Sequence, residues 1–252
     1  RALTALIFVL VMLGGLLWNR WSFFVLFSVI HWGCWLEYQR LIKRIIPGYS
    51  QISAFHSYGV ILAGWSVMFF FAGSSYHWGD ISFHAIGLAA CLIFAFALPL
   101  MEVLFSKYAG LANIKYSTLG LIYISLSWAL LINLRSMEEI RQMDNGVLKG
   151  GGWLLPVIII VSLWINDTMA YITGSFIGKT PFTKISPKKT IEGTIGGIVL
   201  CVSVMGLSAY WLQLPVLHVC MIAGIAGIVG TAGDLLESKI KRLASVKDSG
   251  AI

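Results

Sequence analysis

Charge is scarce in this chain. Asp, Glu, Lys and Arg make up only 12% of its 252 residues, about half the share typical of soluble domains. Hydrophobic residues make up 58%, and the mean hydropathy is +0.84. That balance excludes an ordinary soluble domain. Cysteine is also sparse. Cys34, Cys91, Cys201 and Cys220 all lie inside apolar runs, and no Cys-x-x-Cys pair or His/Cys ligand spacing occurs. Neither a zinc site nor a disulfide framework is indicated, so the four are small packing residues. His31, His56, His77, His84 and His218 are scattered without paired spacing and are expected at interfaces or in packing. No aromatic-interleaved basic segment is present, so no nucleic-acid partner is expected. No internal repeat is visible, which argues against a transporter built from inverted repeats. The first apolar run lacks the small-residue cleavage site of a signal peptide.

What the chain does have is long apolar runs, several near the roughly 20 residues that span a bilayer. Eight are distinguishable: 2–18, 21–36, 57–73, 83–105, 117–134, 153–177, 191–212 and 216–236. They predict an all-α, polytopic transmembrane helical bundle of about eight spanning helices. A polar connector, 37–56, separates the second run from the third. Ten Trp and nine Tyr suit anchoring at the membrane interfaces. One integrated membrane domain is expected. Residues 1–134 would supply scaffold and lipid access, and residues 135–252 would carry the polar motifs.

Orientation follows from the Lys/Arg asymmetry. If the basic loop 178–189 is cytoplasmic, strict alternation places fourteen of the eighteen Lys and Arg inside, leaving Arg20, Arg135, Arg141 and Lys149 outside. The N-terminus is then inside, and that loop lies on the same side as the C-terminal stretch. The formal net charge of +7 suits loops facing anionic headgroups, or an anionic substrate.

Three polar features stand out against this background. The first is the last stretch, 230–252, where Asp234, Glu237, Ser238 and Lys241 share one helical face and Lys239, Arg242, Lys247 and Asp248 follow. Such a face can hold a metal and a polyanion together, or it can be a basic helix end meeting anionic lipid. The second is the sequence Ser186-Pro187-Lys188-Lys189-Thr190, followed by Glu192-Gly193. Pro187 stops any preceding helix. Two lysines and hydroxyls at the start of the next helix, with its free N–H groups and dipole, make a phosphate cradle. An ordinary positive-inside loop is the alternative. The third is Asn166-Asp167 inside the sixth run. An ionisable residue within a spanning helix marks a functional site, or a packed interhelical polar cluster. Small residues Ala170, Gly174 and Gly178 on that run allow close approach. Glycines 227, 230 and 233 thin the last helix just before Asp234, chiefly for packing. Glu102 is a weaker intramembrane case, near enough to a membrane end to reach water.

These features, in this order, resemble the phosphatidate cytidylyltransferases, the CDP-diacylglycerol synthases. Ser238, Ile240, Lys241, Arg242, Lys247, Asp248 and Gly250 fit the first half of that family's S-x-hydrophobic-K-R-x4-K-D-x-small signature. Residues 185–197 match its ISPKKTxEGxxGG element, and Asp167 to Lys179 match D-x-x-A-Y-x-x-G-x-x-x-G-K. The resemblance runs from about Trp164 to the end. The second half of the signature is absent, so residues beyond Ile252, with one more helix, are expected to complete a metal centre.

The resemblance implies the reaction of CTP with phosphatidate to give CDP-diacylglycerol and pyrophosphate. It also implies a Mg²⁺ requirement, with a second cation admissible. Asp234, Lys241, Arg242 and Asp248 would then be catalytic, and Asp234, Asp248 and Glu237 would ligate metal. Ser186, Lys188, Lys189, Thr190, Ser238, Lys247 and Asp167 would bind substrate. The implied partners are CTP, phosphatidate, membrane lipids and a second copy of the chain. The implied location is the bacterial cytoplasmic (inner) membrane, with the site facing the cytoplasm. Two rivals stay open. A CTP-dependent polyprenol or phytol kinase would move the γ-phosphoryl group to an alcohol. An anion or lipid transporter would turn over no nucleotide.

Overall fold

Long apolar runs separated by short polar turns can satisfy their backbone groups in a membrane only as helices. The computed structural model describes residues 2–73, 76–105, 111–137 and 152–247. It is helical apart from short turns and a small antiparallel hairpin that pairs His77–Trp78 with Ile81–Ser82. The helices are α1 (Ala2–Leu17), α2 (Arg20–Ile45), α3 (Ala54–Phe71), α4 (Phe83–Phe105), α5 (Leu111–Gly120), α6 (Ser127–Ser136), α7 (Leu154–Ile177), α8 (Ile191–Trp211) and α9 (Val216–Leu243). A π-helical turn, Leu121–Leu126, joins α5 to α6 in one continuous rod. The eight apolar runs therefore each become a helix. Among the described residues six helices are long and apolar enough to cross a membrane, so this is a multi-pass membrane protein.

The chain divides into two compact units, one holding α1–α6 and the other α7–α9. In the first, α2 departs from expectation. It continues through Glu37, Arg40, Lys43 and Arg44 to Ile45, where a polar connector was expected. Arg and Lys are good helix formers, and Lys43 and Arg44 fall in the last turn, where cations favour the helix dipole. The buried face also persists, as Trp35, Tyr38, Leu41 and Ile42. Pro47 then opens a short 3-10 turn.

The same unit contains a buried polar network. Glu102 does not reach water; it is 2% exposed. Its Oε2 lies 2.8 Å from His56 Nδ1, and Asn113 Nδ2 donates to its Oε1 at 3.1 Å. His56 Nε2 and the Tyr49 hydroxyl both meet Ser117 Oγ, at 2.8 and 2.9 Å. A carboxylate removed from water requires such fixed partners. Burial also pushes the pKa of the Tyr49 hydroxyl up.

In the second unit, helices approach through small residues. A Cβ on Gly197 would lie 2.9 Å from the Ala170 backbone, and one on Gly193 would lie 2.9 Å from both Ala170 O and Gly174 Cα. α7 and α8 therefore pack backbone to backbone along this seam. On α9, a Cβ at Gly230 would run into the Leu163 side chain of α7. Cys201 is buried among Ile158, Met205, Ala209 and Ala223, a packing residue as expected.

Candidate active site

The site begins where α7 ends. The N–H of Gly178 closes the helix onto Gly174 O, and the chain turns into the basic loop. Ser186 to Lys189 form a β-turn: the Lys189 N–H donates to Ser186 O at 3.0 Å, with Pro187 at the position where its fixed φ favours the turn. The turn sets the two lysines side by side. The strand-like return is held by Phe182 N–H to Lys189 O at 2.7 Å and Ile191 N–H to Thr180 O at 2.9 Å. Thr190 then N-caps α8, accepting from the Gly193 N–H at 3.1 Å.

Glu192, in the first turn of α8, ties down the other end of the loop. Its carboxylate accepts from the Lys179 N–H at 3.2 Å, the Thr180 N–H at 3.1 Å and the Thr180 hydroxyl at 2.8 Å. The sequence offered a hint here, because an acidic residue two positions after an N-cap Thr is a familiar helix start. What it could not indicate is that the partners lie at the far end of the loop, at Lys179 and Thr180. This wiring also changes the expected phosphate cradle. The N–H groups of Ile191 and Gly193 are used inside the fold. The cations and hydroxyls are left as the principal anion donors.

A cavity of about 590 Å³ lies between these elements. α7 contributes Asn166, Asp167 and Tyr171 to its wall, the loop contributes Ser186, Lys188 and Lys189, and the start of α8 contributes Thr190 and Thr194. α9 contributes Thr231 and Asp234. Lys189 Nζ forms an ion pair with Asp234 across the cavity, both side chains being partly exposed. The Asp167 carboxylate interacts electrostatically with both of them. Lys188 is exposed and has no ion-pair partner among the described residues. Asn166 is buried, and its Oδ1 has no hydrogen-bond partner among the described residues.

Of the residues singled out from sequence, Asp167, Ser186, Lys188, Lys189, Thr190 and Asp234 therefore share one cavity. Glu237, Ser238, Lys241, Arg242 and Lys247 are not part of its wall. Glu237 and Lys241 pair with each other at 2.5 Å, one helical turn apart. Arg242 reaches back to the loop, with Nε 3.5 Å from Ile185 O. Lys247 is exposed beyond the end of α9. Asp248 lies outside the described residues. Asn166, Thr194 and Thr231 join the wall without having been assigned a role from sequence. Thr231 was reachable by periodicity, three residues before Asp234 on the same helix.

Among the described residues no three His, Cys, Asp or Glu side chains gather into a metal cluster. Asp167 and Asp234 are the two carboxylates that line the cavity among the described residues. That donor set does not suit a cation held wholly by protein. It does suit Mg²⁺, which keeps several waters and takes one or two carboxylates plus substrate phosphates.

The cytidylyltransferase family matches residues 1–252 of the chain. The chain is 31% identical over 193 residues to the phosphatidate cytidylyltransferase of Synechocystis sp., a match covering 70% of this chain and 63% of that protein. It is 30% identical over 176 residues to that of Bacillus subtilis, covering 68% of this chain and 61% of the relative. With that of Aquifex aeolicus, the identity is 43% over 95 residues, covering 36% of this chain and 35% of the relative. The chain therefore spans less than two thirds of the length of these relatives.

Proposed function

The chain belongs to the cytidylyltransferase family, and from that premise we propose that it transfers the cytidylyl group of CTP to phosphatidate, giving CDP-diacylglycerol and pyrophosphate. The observation that carries the reading is the gathering of two lysines and two carboxylates in one cavity, Lys188 and Lys189 with Asp167 and Asp234, of which Lys189 and Asp234 form an ion pair. The relatives' names specify the same acceptor.

The chemistry fits such a site. A phosphatidate oxygen attacks the α-phosphorus of CTP, and the bond to the β-phosphate oxygen breaks as pyrophosphate leaves. The attacking phosphate is already ionised, so no strong general base is required. The obstacle is bringing two polyanions together, and catalysis is then positioning plus charge neutralisation. Lys188 and Lys189 hold phosphate oxygens, and the hydroxyls of Ser186 and Thr190 donate to them. Asp234 and Asp167 would hold Mg²⁺. When bound, the ion neutralises charge on the CTP phosphates and polarises them. Glu237, Ser238, Lys241, Arg242, Lys247 and Asp248 belong to the same proposal as the flank of the site, with Arg242 bracing the loop that carries Lys188 and Lys189.

The Lys/Arg asymmetry supports a cytoplasm-facing site in a bacterial inner membrane, where a soluble nucleotide meets a lipid substrate amid membrane lipids. A homodimer is the assembly that the resemblance suggests. Purified protein incubated with cytidine-labelled CTP, phosphatidate and Mg²⁺ tests the reading. Label entering the lipid phase supports it, and label remaining wholly in water contradicts it.

A further inference from the structure

We propose that Lys189 is the stand-in cation of Asp234, so that the two exchange partners when ligand arrives and the site takes nucleotide and metal together rather than either alone. The inference rests on the cytidylyltransferase reading of this cavity.

The argument starts from the charges on the wall. Lys188 and Lys189 face Asp167 and Asp234, so the cavity is close to neutral in formal charge. Lys189 is not free to greet a phosphate, because its ammonium is engaged by Asp234. Asp234 is equally unavailable to a cation. The two come from distant parts of the chain, the turn before α8 and the C-terminal part of α9, and meet inside the cavity. A metal-free nucleotide drawing on Lys189 would strip Asp234 of its counter-charge and add more negative charge beside Asp167. A bare divalent cation drawing on Asp234 would leave an uncompensated ammonium beside it. Each ligand alone therefore breaks the ion pair and gains one partner for two lost. The metal–nucleotide complex replaces the pair with two new ones, phosphate on Lys189 and cation on Asp234, and every charge keeps a counter-charge.

Lys188, exposed and without an ion-pair partner among the described residues, completes the scheme. It is the cation that can meet a phosphate without any exchange, next to Lys189 in the same β-turn. A pair whose only task was to hold the loop would behave differently. The loop is already fixed by its own backbone bonds and by Glu192, and both paired side chains are a third to a half exposed, Lys189 34% and Asp234 45%.

The test is a gain of binding on removing a charge, which a purely structural pair does not give. Binding of CTP in excess chelator and of Mn²⁺ without nucleotide is measured for wild type, Asp234→Asn and Lys189→Met. Asp234→Asn should bind metal-free CTP roughly two- to fivefold more tightly than wild type, the range set by releasing a partly exposed ion pair. Lys189→Met should bind Mn²⁺ alone more tightly by a similar factor, while its affinity for metal-free CTP falls. Metal-free CTP binding no tighter in Asp234→Asn, or Mn²⁺ binding no tighter in Lys189→Met, overturns the exchange even if wild type binds the metal–CTP complex. A wild type that binds CTP neither with nor without metal overturns the reading of the site, and the exchange with it.

Discussion

Glu192 accepts hydrogen bonds from both the backbone N–H and the hydroxyl of Thr180, across the mouth of the loop that carries Lys188 and Lys189. The residue is not itself among the residues lining the cavity, yet it holds the loop that carries the wall's cations. Glu192→Ala removes these bonds and the one from Lys179, and so frees the start of the loop. The KM for CTP is expected to rise several-fold with little change in kcat. Glu192→Gln, which keeps one carbonyl acceptor, should recover much of the loss. Steady-state kinetics of the two variants check this, and an alanine variant with unchanged KM contradicts it.

Lys188 and Lys189 are expected to act through binding. The double change Lys188→Ala with Lys189→Ala should weaken apparent affinity for CTP or phosphatidate by roughly 10- to 100-fold, the loss of charged hydrogen bonds of about 1.5–3 kcal/mol. Kinetic titration of both substrates measures it. Unchanged affinity for both would remove the loop from the site.

The His56–Glu102 pair is a stability element. Glu102→Ala leaves His56 Nδ1 and Asn113 Nδ2 without their partner in a buried setting, and a loss of about 3–5 kcal/mol is expected. His56→Ala in the same background should add less than it does alone, because the two residues form one network. Thermal unfolding in detergent of the single and double variants reads the coupling. Additive effects would show that the network is not cooperative.

Glycines on α8 and α9 should differ sharply in tolerance. Gly197→Ala drives a Cβ to 2.9 Å from the Ala170 backbone, whereas nothing lies within 4 Å of a Cβ at Gly233. Gly197→Ala is expected to destabilise by about 1–3 kcal/mol through overpacking. Gly233→Ala should be neutral or stabilising by up to about 1 kcal/mol, since alanine is the better helix former. Unfolding midpoints of the pair decide it, and equal midpoints contradict the seam.

The parts of this protein legible in its sequence are those written in local pattern. Apolar runs with short breaks are enough to place a helix at each run among the described residues, and the spacing around Asp167, Lys188 and Asp234 is enough to single out residues that line one cavity. What stayed hidden depends on partners distant in sequence. Glu102 lies 46 residues from His56, so its network could not be distinguished from a carboxylate reaching water. Lys189 lies 45 residues from Asp234, so their pairing could not be distinguished from two independent ligand contacts. Helical periodicity placed Glu237 beside Asp234, but it could not tell that Glu237 turns to Lys241 instead of the cavity. The charges at the end of α2 misled for the opposite reason: polarity suggested a connector where helix propensity and a continuing buried face prolonged the helix.

The central claim is that this cavity moves the cytidylyl group rather than the terminal phosphoryl group. CTP labelled with ³H in cytidine and ³²P at the γ-phosphate, given with phosphatidate and Mg²⁺, tests it most directly in wild type and Asp234→Asn. The account predicts ³H in the lipid and ³²P in released pyrophosphate for wild type, with nearly all turnover lost in a folded Asp234→Asn protein. Label from ³²P in the lipid with ³H left in soluble CDP, or near-normal synthesis by Asp234→Asn, would contradict it.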